Sequence, residues 1–197
     1  MLVPAFIGVI DALGYFQARY LDRGGSPSQV GPTLARIIAR DGVKDALGVL
    51  VRQHPAWESL DVRQPDIEEV TLAEGATAFG TPGCCARPFG ENGFFGDGRF
   101  TNVPGFGIGL TAKGGESYPI QQINGRISLR ERRLTFVDGA PSDAWGYLFE
   151  ETSGVLHVIG YMDPALHAVL LGDPLSIIAT IRPEESLTYD WARVEHI

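Results

Sequence analysis

Cysteine is scarce in this sequence: the 197 residues include only two, and these are adjacent, Cys84 and Cys85. Neighbouring cysteines rarely bridge each other, because disulfide geometry strains the peptide between them. With no other cysteine, the chain has no disulfide framework. The pair also lacks the usual two-residue spacer of a zinc site, and no nearby histidine completes four ligands. We therefore predict no metal site, and no motif indicates a cofactor.

Positive charge is also in short supply. The chain has 16 Lys and Arg against 24 Asp and Glu, a formal net charge of −8, and residues 116–197 alone carry −6. Proteins that bind nucleic acid normally present a basic face, because neutralisation of phosphates supplies much of the affinity. The charge balance therefore argues against a nucleic-acid partner and favours a protein partner with a basic surface.

Long hydrophobic runs are missing. The apolar N-terminal segment is interrupted by Asp11 and is far shorter than the roughly 20 residues that cross a bilayer. No basic residue precedes this segment and no small-x-small cleavage pattern follows it, so it does not fit a secretion signal. We expect a cytoplasmic protein without a membrane span, and the sequence leaves its oligomeric state open.

The chain nevertheless has enough apolar material for a core. Hydrophobic residues make up 44% of the sequence and charged residues 20%, which is typical of globular proteins. The length suits a single domain over residues 1–197.

The pattern of apolar residues in the first 54 positions predicts helices. Apolar residues recur at helical spacing from Phe6 to Phe16, which predicts an amphipathic helix over about residues 4–23 that ends at Gly24 and Gly25. Two more helical runs follow before His54, where the next residue is a proline and disfavours helix. We therefore predict two or three helices within residues 1–54.

Residues 75–115 are rich in glycine and phenylalanine and have no strict repeat. Long irregular segments of this kind are uncommon inside compact domains and are often functional. We predict a loop region here. One hypothesis is that its phenylalanines line a pocket for a small ligand.

Residues 117–197 alternate as strands do, with one short helix over about 163–171 and a last strand over 187–194. The short turns between these runs indicate an antiparallel sheet. The predicted fold is α+β: two or three N-terminal helices packed on a mostly antiparallel sheet or a partly closed β-barrel.

The leading functional hypothesis is a non-catalytic acidic module that binds a basic protein, for example as its inhibitor or neutraliser. Aromatic residues on predicted strands stand beside acidic ones, and aromatic anchors with steering charges suit protein recognition. The predicted binding residues are Trp145, Tyr147, Phe149, Glu150, Glu151, Tyr189 and Trp191.

The alternative hypothesis is a small cysteine-dependent hydrolase, transferase or deamidase. Its nucleophile would be Cys84 or Cys85 and its base His157, which lies on a strand after the cysteines. Asp138, Glu150 or Glu151 could orient the imidazole. Against this hypothesis, Pro88 prevents a helix directly after the cysteines, and unreactive cysteines are commonly buried as small hydrophobic residues.

Overall fold

The computed structural model describes residues 3–61, 99–111, 122–137, 145–160 and 175–195. Strands dominate, and the helices are few and short. The elements are β1 (Ala5–Ile10), β2 (Tyr15–Leu21), α1 (Pro27–Asp41), α2 (Val43–Leu47), a π-helical turn (Gly48–Gln53), β3 (Ala56–Leu60), β4 (Arg99–Val103), β5 (Gly107–Thr111), β6 (Gln122–Ser128), β7 (Arg133–Phe136), β8 (Trp145–Glu150), β9 (Leu156–Gly160), β10 (Ser176–Ile181), a 3₁₀ turn (Pro183–Glu185) and α3 (Trp191–Val194).

Seven of the strands close into a barrel. Their order is β1-β8-β9-β10-β7-β6-β2, and the pairing of β1 with β2 completes the circle. Within the barrel, β1 and β8 run parallel, and the other neighbours are antiparallel. β2 pairs with β6 as far as Arg19, and its last two residues pair with β3 instead. From there β3, β5 and β4 extend the sheet beyond the barrel.

The inside of the barrel is filled by one face of each strand. Because successive side chains of a strand point to opposite faces, alternate residues such as Phe6 and Ile10 meet Phe16 from the neighbouring strand. Phe136 packs edge-on against both Phe6 and Phe16, with ring centroids 5.9 and 5.5 Å away. The buried interior set is Phe6, Ile10, Phe16, Ala18, Ile127, Leu134, Leu148, Ile159, Leu175 and Ile177.

Helices cover one side of the barrel exterior and bury a second core. Leu34 and Ile37 of α1 and Leu50 of the π-helical turn are fully buried there. Two polar aromatic groups are also satisfied in this layer. The Trp57 indole nitrogen donates to the Leu50 carbonyl at 2.8 Å, and the Tyr147 hydroxyl donates to the Gly25 carbonyl at 2.8 Å.

The predicted arrangement of N-terminal helices on a sheet is wrong. Residues 4–23 form the hairpin β1–β2, so the chain begins with barrel strands, and the helices follow from Pro27. The turn explains the difference, because an Asp11 carboxylate oxygen accepts from the Leu13 and Tyr15 backbone N–H groups. Gly14 completes the turn with a φ of +82°. A mixed α+β content is still correct in broad outline, although strands predominate.

Two further predictions concern the C-terminal half. Residues 187–194 do not form a closing strand. Trp191–Val194 form α3, at whose start an Asp190 carboxylate oxygen accepts from the Arg193 N–H at 3.4 Å. The predicted helix over 163–171 and most of the Gly/Phe-rich region lie outside the described residues. In the described part of the chain, no helix has the length and apolar character needed to span a membrane.

Candidate functional site

Most of the aromatic residues predicted to bind a partner lie in the core. Tyr147, Phe149 and Trp191 are buried between the barrel and the helices. Trp145 and Tyr189 are half-buried and pack against the same cluster. All five rings therefore stabilise the fold, because they pack in the one core layer between the outward face of β8 and the helices. Binding of a basic protein stays a prediction that no observed feature tests.

The two predicted acidic binding residues have partners within the chain. Glu151 forms an ion pair with Arg52. Glu150 accepts from the Ser153 hydroxyl and bonds to His157. The hydrogen bond from Ser153, followed by that from His157, holds the pKa of Glu150 below its usual value, although partial burial opposes the shift.

The structure thus joins two of the residues considered for the cysteine-dependent enzyme. His157 Nε2 lies 2.9 Å from Glu150 Oε1, and His157 Nδ1 lies 3.1 Å from Thr180 Oγ1. The imidazole is buried and Thr180 is exposed. Cys84, Cys85 and Asp138 lie outside the described residues. The sequence did not indicate Thr180, because its place beside His157 depends on strand pairing.

An open cavity of about 480 Å³ lies on the outer face of β1, β2 and β6. This volume falls in the range of about 300–1,000 Å³ that small-molecule sites occupy. It is lined by Val9, Asp11, Tyr15, Phe16, Gln17, Arg52, Gln122, Asn124, Gly125, Val137 and Glu151. We refer to it as the β2–β6 cavity.

Amide side chains supply the polar part of the β2–β6 cavity. Gln17 of β2 is paired across the sheet with Asn124 of β6, so both side chains lie on the same face. Gln122 lies two residues before Asn124, and its Nε2 donates to Asn124 Oδ1 at 2.7 Å. Strand alternation therefore brings three amides together on the cavity wall.

The charged groups that line the β2–β6 cavity already have partners within the protein. Arg52 is paired with Glu151, and Asp11 holds the β1–β2 turn through two backbone N–H groups. The Tyr15 ring is 54% exposed, and the Arg126 guanidinium lies over it, 5.5 Å from the ring centroid. A cation over a ring face is attracted to it, so Arg126 helps to orient an aromatic surface beside the amides.

One wall of the cavity comes from the π-helical turn, which contributes Arg52. π-Helical segments are rare and frequently lie at functional sites. Arg19, on the same face of β2 as Gln17, anchors this turn because its Nε donates to the Val51 carbonyl at 2.6 Å. Its Nη1 is buried without a hydrogen-bond partner among the described residues, and burial lowers the pKa of its guanidinium.

A buried carboxyl group lies near the opposite end of β2. Glu58 of β3 is 7% exposed, and its Oε1 is 3.8 Å from Arg23 Nη1. Burial raises the pKa of Glu58 to about 7, with Arg23 opposing the shift and Asp22 adding to it. The sequence alone does not indicate this residue, because no local pattern shows that a glutamate on a short strand is buried.

The described residues contain no group of three His, Cys, Asp or Glu side chains that could hold a metal ion. Comparisons with protein-family models, with curated proteins and with solved structures gave no match for this chain. A function for this chain is therefore inferred from the β2–β6 cavity and from the contacts that His157 makes with Glu150 and Thr180.

Proposed function

We propose that this protein binds a small, neutral, hydroxyl-rich molecule, such as a mono- or disaccharide, in the β2–β6 cavity. The observation that carries the proposal is the cavity of about 480 Å³ with amide and aromatic side chains along its wall. Ligand sites combine a concave surface with a few convergent polar groups that orient the ligand.

The hydrogen-bonding capacity of the wall matches hydroxyl groups. Each amide of Gln17, Gln122 and Asn124 offers both a donor and an acceptor group. A sugar hydroxyl likewise donates and accepts, so neighbouring hydroxyls can pair with one amide without leaving a buried polar group unsatisfied. The exposed ring of Tyr15 supplies an apolar surface for the C–H face of a sugar ring.

Charge pairing in the cavity favours a neutral ligand. Arg52 and Glu151 neutralise each other, and Asp11 is engaged in the β1–β2 turn. A ligand with a net charge would have to compete with these internal contacts. We therefore expect binding to depend only weakly on salt, because screening acts mainly on unpaired exposed charges.

The proposal is tested by calorimetric titration of the purified protein with neutral sugars (glucose, maltose and trehalose) and with two charged analogues (glucuronate and glucosamine). We expect at least one neutral sugar to bind and both charged analogues to bind more weakly. Binding of the charged analogues alone, or of none of the compounds, would contradict the proposal.

A pair of variants links any binding to the cavity. Gln17→Ala removes one wall amide and should weaken the Kd about 3- to 10-fold, the amount expected from about 1 kcal/mol for one hydrogen bond. Gln29→Ala is the matched control, because Gln29 is an exposed amide on α1. Equal affinities of the two variants would place the ligand elsewhere.

A further inference from the structure

The rim of the barrel holds a buried imidazole between a carboxylate and an exposed hydroxyl. Glu150 receives the Ser153 hydroxyl on Oε2 and faces His157 Nε2 with Oε1. An ionised carboxylate only accepts hydrogen bonds, so Nε2 carries the proton. In the neutral ring Nδ1 is then the acceptor, and the Thr180 hydroxyl, 3.1 Å away, donates to it.

A β-bulge creates this contact. β9 and β10 pair Ile177 with Ile159, and the register shifts between Ile177 and Ala179. Without the shift, Thr180 would point to the outer face. With it, Thr180 is directly opposite His157, and both side chains lie on the inner face of the barrel. Bulges commonly re-aim a side chain next to a functional site.

The hydroxyl is also open to a reactant. β10 pairs with β7 through Ser176 and Arg133, so among the described residues no strand flanks that edge of β10 at Thr180. Thr180 is exposed, whereas the side chain of His157 is only 6% exposed. A molecule that approaches the rim therefore meets the hydroxyl and not the imidazole.

We propose that Thr180 is a nucleophile for acyl transfer from small esters, with His157 as its general base and Glu150 as the residue that positions the imidazole. This arrangement of nucleophile, base and orienting group is the one that activates a hydroxyl. It is independent of the β2–β6 cavity, whose lining includes none of the three residues.

The reaction balances with an ester and water as the reactants. Thr180 Oγ1 attacks the ester carbonyl carbon, and its proton passes to His157 Nδ1. The new C–O bond to threonine forms, the bond to the leaving alcohol breaks, and His157 returns the proton to that alcohol. Water then attacks the acyl carbon while His157 accepts its proton. The bond from this carbon to Thr180 Oγ1 breaks and His157 returns the proton to that oxygen, which releases the carboxylic acid and restores the hydroxyl.

The test uses p-nitrophenyl acetate with the full-length protein. Release of p-nitrophenol is followed by absorbance, and the acetylated residue is located by peptide mass spectrometry. We expect an acetyl group at position 180 in the native protein and in Thr180→Ser, which keeps a hydroxyl, and none there in Thr180→Val. Thr135→Val is the matched control, because Thr135 is an exposed threonine on β7, and it should leave acetylation unchanged.

A separate measurement, the rate of Thr180 acetylation in Glu150→Gln, tests the positioning role of Glu150. Glu150→Gln keeps the shape of the side chain and removes its charge, so acetylation of Thr180 should slow by at least about tenfold, which is part of the factor of about 10²–10⁴ that general-base catalysis supplies. Circular dichroism checks that the variant is folded. The proposal is overturned if the native protein and Thr180→Val release p-nitrophenol at the same rate, or if the acetyl group is found on other residues only. An unchanged rate in Glu150→Gln would remove Glu150 from the mechanism.

Discussion

Replacement of Glu58 by glutamine should stabilise the protein at neutral and alkaline pH. Glu58 is 7% exposed, and the nearest counter-charge described, Arg23 Nη1, is 3.8 Å away, beyond hydrogen-bond distance. Among the described residues no group donates a close hydrogen bond to the Glu58 carboxylate, and burial of such a carboxylate in its ionised form is costly. Glutamine has nearly the same shape and carries no charge, so it removes the cost and keeps the packing.

The size of the stability gain expected for Glu58→Gln follows from the pKa of Glu58. Burial raises the pKa of Glu58 from its usual 4.5 to about 7, so the folded protein holds the proton more tightly than the unfolded chain does. The resulting stabilisation is fully present below about pH 4.5 and is lost as the pH rises through about 7. At about 1.36 kcal/mol per pH unit, the loss approaches about 3 kcal/mol. Asp22 contributes in the same direction, because burial raises its pKa as well.

The assay is urea unfolding, followed by circular dichroism, of the native protein and of Glu58→Gln at about pH 4 and about pH 8. We expect similar free energies of unfolding at the lower pH and a gain of up to about 3 kcal/mol for the variant at the higher pH. Glu131→Gln is the matched control, since Glu131 is exposed in a turn, and it should change stability little at either pH. If Glu58→Gln is no more stable than the native protein at about pH 8, the buried charge of Glu58 does not destabilise the folded protein.

Three further predictions concern the fold and are checked by thermal unfolding. Tyr147→Phe should lower the free energy of unfolding by about 1–3 kcal/mol, because it leaves the buried Gly25 carbonyl without its donor; an unchanged Tm would show that this bond contributes nothing. Gly8→Ala should lower the free energy of unfolding by about 1–3 kcal/mol or more, because a Cβ there would lie 2.5 Å from the Ala18 Cβ inside the barrel. A native-like Tm would mean that β1 and β2 can move apart to accommodate the methyl group. Asp11→Ala should cost about 1 kcal/mol through the loss of two turn hydrogen bonds, and no loss would rule out that carboxylate as the reason for the turn.

Parts of the fold could be predicted from short segments. The alternation in 145–149 and the apolar run in 155–161 predict strands, and the structure has β8 and β9 there. The apolar spacing just before His54 also predicts helix, and the structure has α1, α2 and the π-helical turn there.

The N-terminal hairpin could not be predicted in the same way. Apolar residues at Phe6, Ile7 and Ile10 satisfy a helical period and a strand buried on both faces equally well. The choice is made by partners far along the chain, since β1 pairs with β8 about 140 residues later. Gly8, a weak helix former, fits the strand because it lets β1 approach β2 inside the barrel.

In the candidate sites, too, some residues could be predicted from the sequence and others depend on strand pairing. The sequence offers His157 as a candidate base and Glu150 as one of three candidate orienting carboxylates, and the structure places these two side chains in contact. Thr180 could not be named, since a bulge in β10 determines which face it occupies. The amides of the β2–β6 cavity come from two distant strands, and only their register places them on one wall.

Side-chain chemistry and periodicity are local properties, so the amino-acid order by itself determined the acidic balance, the scarcity of thiols and the presence of strands in the second half of the chain. Tertiary structure alone decided that β1 and β2 meet to close a seven-stranded barrel, that Glu58 is buried and that a hydroxyl reaches His157. Strand partners, register and burial depend on residues far apart along the chain, and a side chain acquires its environment only when those strands meet.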